Sequence, residues 1–208
     1  MLSIVIIYII SYLVLNKKQY QLIARIFSTI NAIQCVVGCL GLELGEYIDL
    51  NYSGGDDLIH TLQIFYVYLF TDGIFNLITS SFSLANILHH FVGGVGIYLM
   101  TKQRIGLGLG IYFAFTEIST PLLNVAWWFY VNKIDNIMSK SVFVLFWLVF
   151  GLSRILTIPL LWYYIEFNQV IISELTTVNW FMVYGGSFTL VSLNIVWFVM
   201  LTKKIFYS

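Results

Sequence analysis

The sequence predicts an all-α integral membrane protein with seven transmembrane helices, and two observations support this. First, the chain has 208 residues, of which 60% are apolar or aromatic and only 10% are charged. Soluble domains carry about 25% charged residues, so this chain has too little charge to cover a soluble surface. Disordered and nucleic-acid-binding chains are excluded for the same reason. Second, apolar residues run in segments near the length of about 20 residues that a helix needs to cross a bilayer.

Seven apolar segments meet this description: 2–15, 20–41, 60–80, 84–100, 105–130, 142–165 and 178–202. They are longer and more continuous than the alternating strands of an outer-membrane barrel, and lipid tolerates only helices or closed barrels. The first segment is the shortest, and a signal peptide is its alternative interpretation. It has no basic region before it and no small-residue cleavage site after it. We therefore interpret residues 1–19 as a short transmembrane helix followed by a basic loop.

The loops separate the charges by sign. One side of a seven-span arrangement carries six lysines, namely Lys17, Lys18, Lys133, Lys140, Lys203 and Lys204. The other side carries the loop carboxylates Glu43, Glu46, Asp49, Asp56, Asp57, Glu166 and Glu174. Cytosolic loops are enriched in lysine and arginine, which places the N-terminus outside or lumenal and the C-terminus in the cytosol. Lys102 and Arg104 are exceptions to this assignment.

Six ionisable residues lie inside the predicted spans: Arg25, Asp72, His89, His90, Glu117 and Arg154. Such residues are costly in lipid and normally face a bundle interior or cavity, so each is a functional candidate. At a rise of about 1.5 Å per residue, Glu117 and Arg154 both lie about 18–20 Å below the cytosolic interface. Their opposite charges at one level predict a buried ion pair.

Asp72 and the two adjacent histidines lie at similar depths in the neighbouring spans. A carboxylate beside an imidazole orients the ring for general-base or nucleophilic chemistry. Neighbouring residues on a helix point about 100° apart, so His89 and His90 are not expected to face one cavity equally. One is expected to bind or react, and the other to have a structural role.

The fifth predicted span contains a proline and a row of polar side chains. Pro121 cannot donate a hydrogen bond to the carbonyl of Glu117, which predicts a kink in this helix. Glu117, Thr120, Asn124 and Trp128 recur at helical spacing and form one polar face. That face is expected to line a cavity or to contact another helix.

The residues of this span resemble a known signature. Glu117-Ile-Ser-Thr-Pro121-Leu-Leu-Asn124-Val-Ala-Trp127 is similar to the E-x-S-T-P-x-L-N-x-x-W pattern of TLC-domain proteins. That superfamily includes translocating-chain-associating membrane proteins, ceramide synthases and the neuronal ceroid lipofuscinosis type 8 protein. Supporting matches are Arg25-Ile-Phe-Ser28, Tyr68-Leu-Phe-Thr-Asp72, His89-His90 and Arg154-Ile-Leu-Thr-Ile-Pro159. The resemblance covers roughly residues 20–202, and we assign the domain to 20–204.

The resemblance implies a six-helix, barrel-like bundle of spans two to seven around a lipid-sized cavity, with the first span outside it. In ceramide synthases the histidine pair is the acyl-transfer centre, which implies the same role for His89 and His90. The Asp-rich continuation of ceramide synthases is missing, so the chain is more similar to the small TLC domain-containing proteins. It departs from that pattern at Asn31, where histidine is usual, and at Ala126, where arginine is usual.

Two functions are expected from these features. The first is a protein that binds membrane lipids and fatty-acyl chains and modulates membrane lipid composition. The alternative is an acyl-CoA-dependent acyltransferase that acts on a lipid amine or lysolipid. A translocon-associated factor is a third option. The expected location is the endoplasmic reticulum or another internal membrane. No cofactor is expected, and acyl-CoA is expected as a co-substrate only if the protein is an acyltransferase. No metal or nucleic acid is expected.

Each site residue has an expected role. His89, His90 and Asp72 are the candidate catalytic residues. The candidate substrate-binding residues are Arg25, Glu117, Asn124 and Arg154.

Overall fold

A computed structural model describes residues 6–7, 10, 13–40, 54–78 and 83–206. Within these ranges the secondary structure is helical, and no strand occurs. The helices are α1 (Lys17–Cys39), α2 (Asp56–Ile78), α3 (Leu84–Gln103), α4 (Leu107–Phe115), α5 (Thr120–Val131), α6 (Ile137–Phe150), α7 (Ile158–Phe167), α8 (Gln169–Ser173), α9 (Thr177–Phe181) and α10 (Ser187–Phe206). A 3₁₀ turn and two π-helical turns connect some of them.

Five helical segments are long and apolar enough to cross a membrane. Three of them are α1, α2 and α3, and the others are the continuous stretches Ile137–Phe167 and Thr177–Phe206. These confirm five of the predicted spans. The predicted span 2–15 lies mostly outside the described residues, and the predicted span 105–130 is not one of the five because it is divided between α4 and α5. The total of seven spans therefore stays a prediction.

The fifth predicted span is broken near its centre. The 3₁₀ turn Thr116–Ser119 separates α4 from α5, and Pro121 lies in the first turn of α5. Proline is tolerated at a helix start because the first amide groups there have no partner within the helix. The predicted kink is thus present as a tightened turn, and Glu117 lies within it and is buried.

The next two spans stay continuous, but each contains a wider turn. Residues Gly151–Ile155 form a π-helical turn between α6 and α7, and Met182–Gly186 form another before α10. Single π turns inside α-helices occur frequently at functional sites. The first of these contains Arg154, which is buried.

Helices pack closely where glycines replace larger residues. α2 packs against α3, where a side chain at Gly94 would meet the Phe70 ring at 3.2 Å. α1 packs against both α2 and α5, and a side chain at Gly38 would meet Thr61 of α2 at 2.6 Å. α3 packs against α10, α10 against α6, and α6 against α5. Small residues let helix backbones approach in membranes.

Lysines gather at one end of the bundle. At one end, Lys18 Nζ donates to Asn132 Oδ1 at 3.0 Å, and Lys204 Nζ lies 4.6 Å from the centre of the Tyr130 ring. We call this the lysine end; its described lysines are Lys18, Lys133, Lys140, Lys203 and Lys204. At the opposite end, Arg104 pairs with Asp56 at 2.9 Å. The structure therefore groups the lysines as the sequence predicts.

Candidate functional site

A cavity of about 560 Å³ lies between the helices toward the lysine end. Its wall includes the first half of α1, the end of α2, the start of α3 and the last turns of α10. All six ionisable residues predicted inside the membrane line it: Arg25, Asp72, His89, His90, Glu117 and Arg154. The 3₁₀ turn of the fifth span and the π-helical turn of the sixth span therefore place Glu117 and Arg154 in the wall of the same cavity.

The ion pair predicted from depth is present. Arg154 Nη2 donates to Glu117 Oε1 at 3.0 Å, and the two side chains are only 6% and 9% exposed. A buried charge is tolerated when it is paired and its remaining polar atoms are also satisfied. This pair joins the fifth and sixth spans.

The other polar atoms of the pair also have partners. Arg154 Nε donates to Ser119 Oγ and Nη1 donates to Asn194 Oδ1, both at 3.2 Å. Thr120 Oγ1 donates to Glu117 Oε2 at 2.6 Å. A connected hydrogen-bond network makes a buried ion pair rigid. The pair is therefore held in place by three neutral side chains.

His90 contacts Asp72, the carboxylate that lies at a similar predicted depth. His90 Nε2 lies 3.2 Å from Asp72 Oδ2. Asn76 Nδ2 donates to the same oxygen at 2.8 Å from one turn further along α2. A side chain at Gly73 would meet His90 Cβ at 3.1 Å, so the glycine allows this close approach. The arrangement fixes the orientation of the His90 ring.

His89 has a different environment from its neighbour. Its ring packs edge-on against Trp197, with centroids 5.3 Å apart. Its Nε2 lies 3.9 Å from Glu117 Oε1, which is longer than a hydrogen bond. The two histidine rings are nearly perpendicular, at 87°. Both histidines line the cavity, but each is directed to a different carboxylate.

Arg25 is attached to the fifth span near the lysine end. Its Nη1 donates to Asn124 Oδ1 at 3.0 Å, and Asn124 Nδ2 donates to the Arg25 carbonyl at 3.0 Å and to Thr29 Oγ1 at 2.8 Å. The guanidinium also lies 5.3 Å from the centre of the Trp127 ring. Asn124 therefore positions Arg25 and does not itself line the cavity.

Several buried polar side-chain atoms have no hydrogen-bond partner within the described residues. They include Nδ1 of both His89 and His90, both amide atoms of Asn31 and Oγ of Ser187. His89, Glu117 and Ser187 also line a second pocket of about 30 Å³. Buried polar groups are normally satisfied. When His90 Nε2 donates to Asp72, Nδ1 is the nitrogen with the lone pair, and it is buried without a partner.

Some lining residues were not singled out from the sequence. Asn76, Asn86, Trp197 and Ser119 all line the cavity, and Asn194 bonds to Arg154 behind it. A usable signal existed for two of them. Asn76 lies one helical turn after Asp72, and Asn194 is a polar residue within an apolar span. Among the described residues, no group of three or more histidine, cysteine or carboxylate side chains is arranged to hold a metal.

Comparison with known proteins identifies the family of the chain. The sequence model of the TLC domain family matches residues 2–203, which is nearly the whole chain. No curated protein and no solved structure matches the chain. The match covers every residue that lines the cavity, and the chain belongs to the TLC domain family.

Proposed function

We propose that this protein binds a membrane lipid in the cavity at its lysine end and thereby modulates membrane lipid composition. The observation that carries the proposal is the cavity itself. Its volume of about 560 Å³ lies within the range of about 300–1,000 Å³ that is usual for ligand sites. A membrane-embedded cavity of this size draws its ligand from the bilayer.

The lining suits a molecule with one polar and one apolar part. Large apolar side chains form part of the wall, namely Leu69, Phe75, Leu123, Phe146, Phe150, Trp197 and Leu201. Polar and charged side chains form the rest of the wall, and many of them belong to the two networks around Glu117 and Asp72. Apolar walls supply binding energy, and a few placed polar groups fix orientation. A lipid presents both features.

The helix contacts support a six-helix barrel around this cavity. The pairs α1–α2, α2–α3, α3–α10, α10–α6, α6–α5 and α5–α1 are all in contact, which is the neighbour order of a closed ring. We propose that the lysine end faces the cytosol of the endoplasmic reticulum or another internal membrane. The cavity would then open toward the cytosolic leaflet.

Lipid retained on purification tests the binding proposal. The full chain is purified in mild detergent, and the bound lipid is extracted and counted by mass spectrometry. Ala24→Trp fills the cavity, because Ala24 lines it. Ile26→Trp, two residues away on the same helix, is the matched control, since Ile26 is 49% exposed outside the cavity. We expect lipid bound to the wild type and to Ile26→Trp, but not to Ala24→Trp.

Two results would contradict the proposal. One is wild-type protein that holds no lipid. The other is Ala24→Trp protein that is folded and retains as much lipid as Ile26→Trp. A thermal unfolding midpoint for both variants establishes that any loss of lipid comes from the filled cavity and not from unfolding.

A second candidate function, acyl transfer, is favoured by the contact between His90 and Asp72. When Nε2–H donates to the carboxylate, Nδ1 holds the lone pair. That nitrogen is buried in this structure, so the ring has to turn toward a bound acceptor before it can act. It would then take the proton of an acceptor hydroxyl or amine as the acceptor oxygen or nitrogen bonds to the thioester carbonyl. The carbon–sulfur bond then breaks, and the proton passes to the thiolate of coenzyme A. Arg25 is placed to attract the anionic donor.

Release of coenzyme A tests this candidate. Purified protein receives long-chain acyl-CoA with pooled sphingoid bases and lysophospholipids. The double variant His89→Ala/His90→Ala is compared with His60→Ala, because His60 is exposed and lies outside the cavity. Release that requires the pair but not His60 establishes an acyltransferase. Turnover that survives in the double variant contradicts it.

A further inference from the structure

We infer that the cavity holds a lipid with an uncharged, hydroxyl-bearing headgroup, such as an acylglycerol, in preference to a lipid whose headgroup carries a charge. The inference rests on the proposed lipid-binding function and adds the chemical class of the headgroup. Two observations carry it. Every charged side chain of the cavity wall already has a partner within the protein, whereas three uncharged polar side chains of the wall have none among the described residues.

The charged side chains of the cavity wall are balanced in sign. Arg25 and Arg154 are the positive ones, and Asp72 and Glu117 are the negative ones. No described lysine lines the cavity. A charged headgroup of either sign therefore meets as many side chains of its own sign as of the opposite sign.

Both carboxylates of the wall are bonded inside the protein. Glu117 Oε1 accepts from Arg154 Nη2 at 3.0 Å. Asp72 Oδ2 lies 3.2 Å from His90 Nε2 and accepts from Asn76 Nδ2 at 2.8 Å. A cationic headgroup, such as the ammonium group of a sphingoid base, would have to displace one of these partners in order to pair with a carboxylate.

Arg25 is also bonded within the protein. Its Nη1 donates to Asn124 Oδ1 at 3.0 Å, and its guanidinium lies 5.3 Å from the centre of the Trp127 ring. An anionic headgroup would have to compete with both contacts. A charge that is buried away from water without a partner of its own is costly, so the cavity disfavours ionic headgroups of either sign.

The uncharged polar groups of the wall offer an alternative. Gln21, Ser28 and Asn86 line the cavity and are partly exposed. Within the part of the chain that the structure describes, their side chains hydrogen-bond to no other residue. Amides and hydroxyls both donate and accept hydrogen bonds. The hydroxyl and ester oxygens of an acylglycerol can therefore bond to them without breaking a bond inside the protein.

The two amides lie on the side of the cavity toward the lysine end. Gln21 is one helical turn before Arg25 on α1, and Asn86 is one helical turn before His90 on α3. Residues four apart lie on the same face of a helix. Both amides therefore lie near helix starts, where a headgroup enters from the membrane surface, and the apolar side chains of the wall are left for the acyl chains.

Competition between lipids with identical chains tests the inference. The purified full chain is equilibrated in mild detergent with equal amounts of dioleoylglycerol, dioleoyl phosphatidate, dioleoyl phosphatidylcholine and dioleoyl trimethylammonium propane. These lipids differ only in the headgroup. After washing, the bound lipids are extracted and counted by mass spectrometry. We expect dioleoylglycerol to exceed each of the other three by at least about tenfold, because only its headgroup brings no charge into the cavity.

Matched double variants locate the headgroup. Gln21→Leu/Asn86→Leu removes two amides from the wall. Gln34→Leu/Gln63→Leu removes two partly exposed amides that line neither cavity. A hydrogen bond contributes about two- to tenfold in affinity, so the first variant should retain roughly tenfold less dioleoylglycerol and the second should retain as much as the wild type. Unfolding midpoints show whether each variant is folded, and an equal loss in both folded variants would overturn the inference.

The remaining outcomes separate the inference from the function on which it rests. If the four lipids bind in equal amounts, the headgroup inference fails while lipid binding stands. Binding led by phosphatidate or by the trimethylammonium lipid also overturns it, in favour of an ionic headgroup at one of the charged residues. If the protein retains no lipid, either from the cell or from the mixture, the proposed function itself fails.

Discussion

Arg154 Nη2 and Glu117 Oε1 lie 3.0 Å apart at the point where two irregular spans meet. Glu117 belongs to a 3₁₀ turn and Arg154 to a π-helical turn. A 3₁₀ turn tightens a helix and a π turn widens it, so each turn changes which residues face inward. The ion pair joins the two irregular turns and positions the inner wall of the cavity.

Breaking this pair should destabilise the protein strongly. Arg154→Leu leaves the Glu117 carboxylate buried without its counter-charge, at a cost of about 3–5 kcal/mol in the free energy of unfolding. The measurement is the thermal unfolding midpoint of the purified protein in detergent. We expect a large decrease relative to the wild type.

The double variant Glu117→Gln/Arg154→Leu is the control for this interpretation. It removes both charges, so it should be more stable than Arg154→Leu alone. If the two single effects simply add in the double variant, the pair does not act as a unit, and the prediction is wrong.

A close helix contact gives a second prediction. A side chain at Gly38 would lie 2.6 Å from Thr61 Cγ2 and 3.2 Å from Thr61 Cβ. A change of rotamer cannot move Cβ, so Gly38→Ala must separate α1 from α2. We expect a loss of about 1–3 kcal/mol, as is usual for overpacking. The same thermal measurement applies.

Gly55→Ala is the matched substitution for that experiment, because nothing lies within 4 Å of the added carbon there. Its unfolding midpoint should stay close to the wild type. Adding Thr61→Ala to Gly38→Ala should recover part of the lost stability. No recovery would mean that α1 and α2 do not meet at these two residues.

Sequence patterns predicted the pairing of charges better than the directions of side chains. The depth of a residue in the membrane follows from its position along a helix. This depth paired Glu117 with Arg154, and it placed Asp72 at a level similar to that of the histidines. Burial in lipid forces such groups to find partners. Residues of opposite charge that share a level could therefore be paired from the sequence alone.

The direction in which a side chain points could not be predicted where a helix is irregular. The 3₁₀ and π turns change the side of the helix on which every later residue lies. In the sequence, only Pro121 indicated one of these irregular turns. Asn194 and Ser119 bond to Arg154 because those turns bring them inward. His89 and His90 both reach the cavity wall by diverging to different carboxylates, which helical spacing alone does not reveal.

The contact between Arg25 and Asn124 predicts that substitution of Asn124 in α5 has a larger effect on stability and lipid retention than substitution of Asn132 at the end of that helix. Asn124→Ala removes three hydrogen bonds that join α5 to α1, and it leaves the Arg25 guanidinium without this acceptor. We expect a loss of about 1–3 kcal/mol together with weaker lipid retention, since Arg25 lines the cavity.

Asn132→Ala removes the hydrogen bond to Lys18 in an exposed position. Exposed substitutions usually change stability by less than about 0.5 kcal/mol, so this variant should remain near the wild type in both stability and lipid retention. Equal effects of the two substitutions would show that Asn124 has no special role in positioning Arg25.

The orientation of the lysine end can be tested with single cysteines. Both native cysteines are buried, with 1% and 0% exposure for Cys35 and Cys39, so an impermeant maleimide should label the wild type weakly. Lys140→Cys and Lys102→Cys place an exposed thiol at the lysine end and at the opposite end. In cells with a permeabilised plasma membrane, we expect labelling of Lys140→Cys alone. Lys102→Cys should label only after internal membranes are dissolved.

The same pair of variants tests whether the broken segment from α4 to α5 crosses the membrane. The segment 107–131 would extend about 37 Å at about 1.5 Å per residue, enough for the hydrocarbon core of about 30 Å, although neither helix alone is long enough. Labelling of both thiols from one side would show that the segment re-enters without crossing. Labelling from opposite sides establishes a crossing, and the side that labels Lys140→Cys fixes the leaflet toward which the cavity opens.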